Sequence, residues 1–141
     1  MVGRDDVGLT EYADVPNAFL EGMRAVCLGL PDAYEEQAWT GRRWMVRRRN
    51  FAHVFTVDGP RGPATVVQFR SNEPERSAIL GTGHPFFPGQ WGSNVVGMVL
   101  DGRTDWDEVA ELMTESYCTM APRKLVERVD RPELPDADAG E

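Results

Sequence analysis

The sequence predicts an α+β fold in which helices cover one antiparallel sheet, giving a two-layer sandwich. Near both ends of the chain, apolar residues recur at spacings of three and four, which is typical of amphipathic helices. Between them lie short runs rich in β-branched and aromatic residues, separated by turn signals, which predict a three-stranded meander and one later strand. A chain of 141 residues fits one domain of this kind.

The first helix is predicted from Phe19 to Leu30, where six apolar residues form a single stripe. Asp14 is a suitable N-cap for this helix, and Pro31 cannot continue it. Residues 31–36 then form a turn that leads into the sheet.

The predicted meander has strands at residues 43–47, 51–57 and 64–69, because each run alternates or is rich in β-branched and aromatic residues. Arg48-Arg49-Asn50 forms the first turn of the meander. The segment 58–63, Asp-Gly-Pro-Arg-Gly-Pro, is rich in glycine and proline and forms the second turn of the meander.

In the second half of the chain, the sequence predicts three helical segments and one strand. Residues 73–80 form a short helix, and residues 81–92 form a loop dense in glycine, proline and aromatic residues. Residues 94–100 give the fourth strand. A helix capped by Thr104 follows, with an acidic first turn that suits its positive end, and residues 123–129 close the fold with a last helical turn or two.

The ends of the chain differ in composition from the domain between them. We predict a flexible leader over residues 1–13, a single domain over 14–129 and a disordered acidic tail over 130–141. No run of eighteen apolar residues and no secretory signal is apparent, and both cysteines fall at apolar helical positions. These features predict a cytoplasmic protein without a membrane segment, either a monomer or a weak homodimer.

The most informative feature for function is a reversal of charge. The chain carries a net charge of -8, yet residues 39–70 contain seven arginines and only one acidic residue. Five of these arginines fall within eight positions. Such a block either contacts an anion or is neutralised by acidic flanks such as Glu35 and Glu36.

The first functional hypothesis places an anion on the basic hairpin of residues 42–51. The predicted site for nucleic acid or another polyanion consists of Arg42, Arg43, Trp44, Arg47, Arg48 and Arg49. Guanidinium groups would neutralise phosphates, so affinity would fall steeply with salt, and Trp44 would offer a ring for stacking.

The loop of residues 81–92 supports two alternatives. Its candidate contact residues are His84, Phe86, Phe87 and Trp91. If the aromatic rings cap the core, the loop is structural; if they stay exposed, the loop and the sheet face recognise a protein partner. The other alternative is a small-molecule pocket beneath the loop, which would leave room for an enzymatic activity that involves His84 or Tyr117.

No motif in the chain predicts catalysis, and we expect a protein that is not an enzyme. The two histidines are not at a metal-binding spacing, no serine lies in a nucleophile elbow, and no glycine-rich phosphate loop is present. We therefore expect no catalytic residues, no metal and no cofactor.

Several stretches, taken in order, resemble the MmcQ/YjbR-like family over about residues 15–129. They are Leu30-Pro31-Asp32-Ala33-Tyr34-Glu35-Glu36 with Trp39, Arg43-Trp44-Met45-Val46, Phe51-Ala52, Pro85-Phe86-Phe87-Pro88, Asp105-Trp106-Asp107-Glu108, Glu115-Ser116-Tyr117 and Ala121-Pro122-Arg123-Lys124-Leu125. The resemblance implies an antiparallel sheet covered by helices, with a frataxin-like shape.

The same resemblance implies DNA binding, because family members commonly carry that description for a double wing of strands. The usual member has a Gly-Lys turn before the Phe-Ala strand. Here Arg48-Arg49-Asn50 stands in that place, so the basic character of the turn is kept and enlarged.

Overall fold

Seven strands and four helices make up residues 11–129, the part of the chain that the computed structural model describes. In chain order they are β1 (Tyr12–Ala13), α1 (Asn17–Cys27), β2 (Tyr34–Gln37), β3 (Arg42–Val46), β4 (Arg49–Gly59), β5 (Gly62–Arg70), α2 (Glu75–Gly81), β6 (Phe86–Pro88), β7 (Val95–Leu100), α3 (Trp106–Met120) and α4 (Arg123–Val126). The predicted α+β fold, with helices packed on an antiparallel sheet, is confirmed.

All strands belong to one antiparallel sheet with the order β2-β3-β4-β5-β7-β6. The short strand β1 pairs with β4 through Tyr12 opposite Val57. The long strands β4 and β5 therefore occupy the centre of the sheet and carry most of its buried side chains.

The register of the sheet separates a face covered by helices from a face that none of the helices in residues 11–129 covers, which we call the open face. Side chains alternate between the faces along a strand, and residues directly opposite on neighbouring strands share a face. Val54 joins the core beneath the helices, whereas His53 points to the open face. The partners of His53 are Arg43 on β3 and Gln68 on β5, which therefore share the open face.

The core lies between the sheet and helices α1 and α3. Its largest fully buried side chains are Trp44, Tyr117, Phe51, Phe69, Met23, Met98 and Met113. The ring of Tyr117 meets Phe51 edge to face, with centroids 5.4 Å apart. The hydroxyl of Tyr117 donates a hydrogen bond of 2.8 Å to the Pro31 carbonyl, which ties α3 to the turn before β2.

The helix ends differ in detail from the prediction. Pro16 stands at the N-cap position of α1 and no side chain bonds the first turn, so the predicted cap at Asp14 is wrong. Helix α3 is capped by Asp105, one residue after Thr104, and the Asp105 carboxylate accepts hydrogen bonds from the amides of Asp107 and Glu108.

Three strands lie where the sequence predicted other structure. Residues 34–37 form β2, within and just after the stretch predicted as a turn. Residues 86–88 form β6, in the predicted loop, and pair with β7. Tyr12 and Ala13, at the end of the predicted leader, pair with β4 instead. The rest of the leader and the predicted tail at 130–141 lie outside the described residues.

None of the helices between residues 11 and 129 combines the length and the apolar character that a membrane span needs.

Candidate nucleic-acid interface

Internal carboxylates neutralise the arginines at the start of β3. Because β2 and β3 pair with Gln37 opposite Arg42, the neighbouring acidic and basic side chains come within reach of each other. Glu35 accepts hydrogen bonds from Arg24 Nε and Nη2 at 2.8 and 2.9 Å and from Arg42 Nε at 2.7 Å. The bonds from Arg24, and then those from Arg42, hold the pKa of the Glu35 carboxyl below its usual range despite the opposing effect of burial.

The second arginine of β3 is matched in the same way. Arg43 stands opposite Glu36 in the register and reaches Glu36 Oε2 with Nη2 at 2.7 Å and Nε at 2.9 Å. Arg42 and Arg43, both predicted anion-site residues, thus serve to fasten β2 onto β3. These two arginines therefore follow the alternative in which acidic flanks neutralise the basic block internally.

The remaining arginines lie at the tip of the hairpin between β3 and β4. Val46 pairs with Arg49, so Arg47 and Arg48 form a two-residue turn, one residue earlier than predicted. Arg47, Arg48 and Arg49 are all exposed, and we call these three residues the arginine tip. Arg47 Nη1 lies 3.3 Å from Asp32 Oδ2, whereas Arg48 and Arg49 have no carboxylate partner within residues 11–129.

The backbone of the tip has an unusual conformation for its residues. Arg47 and Arg48 have φ angles of 48° and 68°. Positive φ at both central residues is the signature of a type I′ hairpin turn, which normally selects Asn-Gly or a similar pair. Left-handed backbone costs a non-glycine residue about 1 to 2 kcal/mol, and strain of this kind often marks a functional segment.

Trp44 does not belong to this interface, which corrects the sequence prediction. Its side chain is fully buried in the core beneath the helices. Its indole N–H finds no hydrogen-bond acceptor in the described part of the chain. A ring in this position cannot stack on a base, because the core covers both of its faces.

A different set of rings lies on the open face, and we call it the aromatic surface. It consists of Tyr12, Trp39, His53, Phe55 and Trp91. Trp39, from the turn between β2 and β3, meets Trp91, from the loop after β6, with centroids 6.2 Å apart and planes at 84°. These two tryptophans remain 69% and 53% exposed, more than any other large apolar side chain described.

The predicted ligand loop divides between structural and exposed residues. Phe86 packs against the core, and Phe87 lies half-buried with its ring over Gly97, where only a glycine leaves room. His84 is exposed, but none of the aromatic contacts involves it. Of the four residues predicted for this loop, Trp91 alone reaches the aromatic surface.

The polar groups beneath Trp91 include a histidine that is fixed in place. His53 is 6% exposed and donates a hydrogen bond from Nε2 to the Thr40 carbonyl at 2.8 Å. Burial lowers the pKa of His53, because the charged imidazole loses its hydration. Burial thus favours the neutral imidazole, whose hydrogen bond connects β4 to the turn before β3.

Arg70, at the end of β5, is a half-buried cation that bonds neutral oxygen atoms. Its Nε donates to the Asn50 carbonyl at 3.3 Å and its Nη1 to Asn94 Oδ1 at 3.1 Å. Burial lowers its pKa, and no acidic side chain among residues 11–129 offsets that effect. Arg70, Asn50 and Trp91 line one small cavity of about 20 Å³, which places this guanidinium between the tip and the aromatic surface.

Two of the candidate nucleophiles, Ser116 and Cys27, are fully buried. Ser116 is buried, and its hydroxyl is used by two backbone groups. Burial raises the pKa of the Cys27 thiol, which disfavours the reactive thiolate. No three histidine, cysteine or acidic side chains cluster as metal ligands within the described ranges.

A cavity of about 600 Å³ lies at the sheet edge, between β1, the start of α1 and the turn before β3. Tyr12, Trp39 and Arg42 contribute to its wall. Sequence reasoning placed Trp39 in no candidate site, although the family resemblance includes it and it stands beside a Thr-Gly turn.

Comparison with known proteins gives one family and one shared fold. The family model described as YjbR matches residues 28–119, more than half of the chain. The crystal structure of Deinococcus radiodurans protein DR2400, which carries the family-model domain DUF419, aligns with a TM-score of 0.55 at 19% identity. That alignment covers 84% of this chain and 94% of the other, and at this identity it shows the fold alone. The comparison with curated proteins gives no match.

Proposed function

The chain belongs to the YjbR family, and from the exposed arginine tip on this fold we propose that it is a non-enzymatic protein that binds DNA, or a similar polyanion, through phosphate contacts. Arg47, Arg48 and Arg49 supply the cations. Because phosphate contacts do not read the bases, the protein binds DNA without a preference for base sequence.

One observation carries the proposal: three of the five clustered arginines have a carboxylate partner, and two have none among the described residues. Glu35 and Glu36 match Arg42 and Arg43 at 2.7 to 2.9 Å, while Arg48 and Arg49 stand exposed without a carboxylate among the described residues. Exposed guanidinium groups at a two-residue turn can instead approach a phosphate backbone without obstruction from the rest of the sheet.

The net charge of -8 opposes long-range attraction of a polyanion. This repulsion is weakened at physiological salt, where the screening length is about 8 Å. Contacts at the tip then depend on local charge, which is positive. We therefore expect moderate affinity and strong salt dependence.

The test is fluorescence anisotropy of labelled DNA titrated with the full chain at several salt concentrations. The variant Arg48→Glu/Arg49→Glu removes both unmatched cations. The matched control is Arg61→Glu/Arg103→Glu, which changes the net charge by the same amount at two exposed arginines away from the tip.

We expect micromolar binding at moderate salt, lost in the tip variant and weakened only slightly in the control. Equal weakening by both variants would mean that net charge governs the binding. Absence of binding at moderate salt would refute the proposal and leave the tip as a solvated turn.

A further inference from the structure

The two exposed tryptophans of the aromatic surface come from separate parts of the chain. Trp39 precedes β3, and Trp91 follows β6, at the far edge of the sheet. Trp91 has a φ angle of 68°, a left-handed conformation that is a genuine outlier for a bulky residue. The fold thus accepts backbone strain to hold a large ring at a site where more than half of it faces solvent.

The rings have the support that a stacking platform needs. Phe55 and His53 lie directly beneath Trp91, with centroids 5.9 and 5.8 Å away, and Tyr12 meets Trp39 at 4.8 Å. The planes of Trp39 and Trp91 are nearly perpendicular, so the two rings meet edge to face and are not stacked on each other. Flat groups can therefore be received on ring surface that is already held in position.

Cationic groups connect this platform to the arginine tip. Asn50 follows Arg49 directly, accepts a bond from Arg70 and shares a small cavity with Trp91. Arg70 has no carboxylate among the described residues. A ligand that runs from the tip to Trp91 therefore meets cations first and then rings, and must carry anionic groups and flat groups in the same chain.

We propose that the ligand of this surface is single-stranded nucleic acid, with bases stacked on Trp39 and Trp91 and the backbone directed toward Arg70 and the arginine tip. The inference rests on the proposed function and narrows its ligand. A duplex presents phosphates to the tip, but its bases are already stacked on each other. An unpaired base can stack on an exposed ring, which contributes regardless of sequence.

The experiment compares oligothymidine of about 12 nucleotides with a duplex of similar length, both measured by anisotropy on the full chain. Trp39→Ala and Trp91→Asn each remove one ring, and asparagine tolerates the left-handed backbone at residue 91. Leu28→Ala is the matched control, because Leu28 is exposed at the end of α1 in the helix layer. Circular dichroism establishes that each variant is folded.

We expect oligothymidine to bind more tightly than the duplex. Each tryptophan variant should weaken oligothymidine binding by about five- to a hundredfold while duplex binding stays within about twofold. The Leu28 variant should match the wild type for both probes.

Three outcomes would overturn the inference in distinguishable ways. If the tip variant weakens both probes but the tryptophan variants bind oligothymidine normally, the proposed function stands and the stacking site does not. If neither probe binds, the proposed function fails and takes the inference with it. If the tryptophan variants alter the oligomeric state and leave DNA binding unchanged, the surface is a contact between protein chains.

Discussion

Replacing Ser116 with alanine tests how α3 is fastened to the sheet beneath the candidate interface. Ser116 is fully buried on α3. Its Oγ donates to the Phe51 carbonyl at 2.5 Å and accepts from the Arg70 amide at 2.7 Å. The Ser116 hydroxyl therefore bonds a backbone group of β4 and one of β5. The first lies next to Asn50, and the second is the backbone amide of Arg70.

The expected loss follows from these two bonds. The Arg70 amide and the Phe51 carbonyl are both left without this partner, and an orphaned buried group costs about 1 to 3 kcal/mol. Alanine recovers about 0.5 kcal/mol through its higher helix propensity, and removing a single oxygen leaves almost no cavity. For two such groups, less this recovery, the free energy of unfolding should fall by about 1.5 to 5.5 kcal/mol.

Urea unfolding, followed by tryptophan fluorescence and by circular dichroism, measures this loss if both signals change together. Thr119→Ala is the control on the same helix, because the Thr119 hydroxyl donates to a carbonyl of its own helix, that of Glu115. That variant should stay within about 0.5 kcal/mol of the wild type. A Ser116 variant equally close to the wild type would refute the reasoning.

Three further predictions concern the site and its support. Arg48→Gly should raise the free energy of unfolding by about 1 kcal/mol, because glycine accepts positive φ freely, and it should lower the affinity for DNA. Urea unfolding measures the first effect and fluorescence anisotropy the second. An unchanged free energy of unfolding would argue against strain at the tip. Burial lowers the pKa of His53, so on acidification His53 is protonated in the unfolded chain before it is protonated in the folded chain. The contribution of His53 to the free energy of unfolding should therefore be complete above about pH 6.5 and should decline below that pH. Thermal unfolding across that range should show a weaker decline in His53→Gln, and an identical decline would exclude His53 as its source. Gly41→Ala should lower stability by more than about 2 kcal/mol, since φ there is +70° and the new Cβ would lie 1.9 Å from the Val54 carbonyl oxygen; a wild-type urea midpoint would contradict this.

The sequence predicted those parts of the fold whose signal is local. The strands at 43–47, 51–57, 64–69 and 94–100 correspond to β3, β4, β5 and β7, because their side chains match the pattern of a buried sheet. Strand β2 has the sequence Tyr-Glu-Glu-Gln, which carries no apolar alternation. Its place in the sheet depends on carboxylates that pair with the arginines of β3, which a local pattern cannot reveal.

The site was predictable only in part for the same reason. Trp44 and Arg43 are neighbours on β3 and therefore lie on opposite faces, but no local pattern states which face the helices cover. Trp39 and Trp91 approach each other only because the sheet folds their loops over one face. The arginine cluster was visible in the sequence, while its division into matched and unmatched residues came from the register of β2 and β3.

The most direct test of the central claim is the salt dependence of DNA binding. A duplex that contacts two or three guanidinium groups of the tip should give a slope of log affinity against log salt of about -1.8 to -2.7. Arg48→Ala/Arg49→Ala should reduce the magnitude of that slope by about 1.8, while Arg61→Ala/Arg103→Ala should leave it unchanged. A slope near zero, or one that the tip variant does not alter, would contradict phosphate binding at the arginine tip.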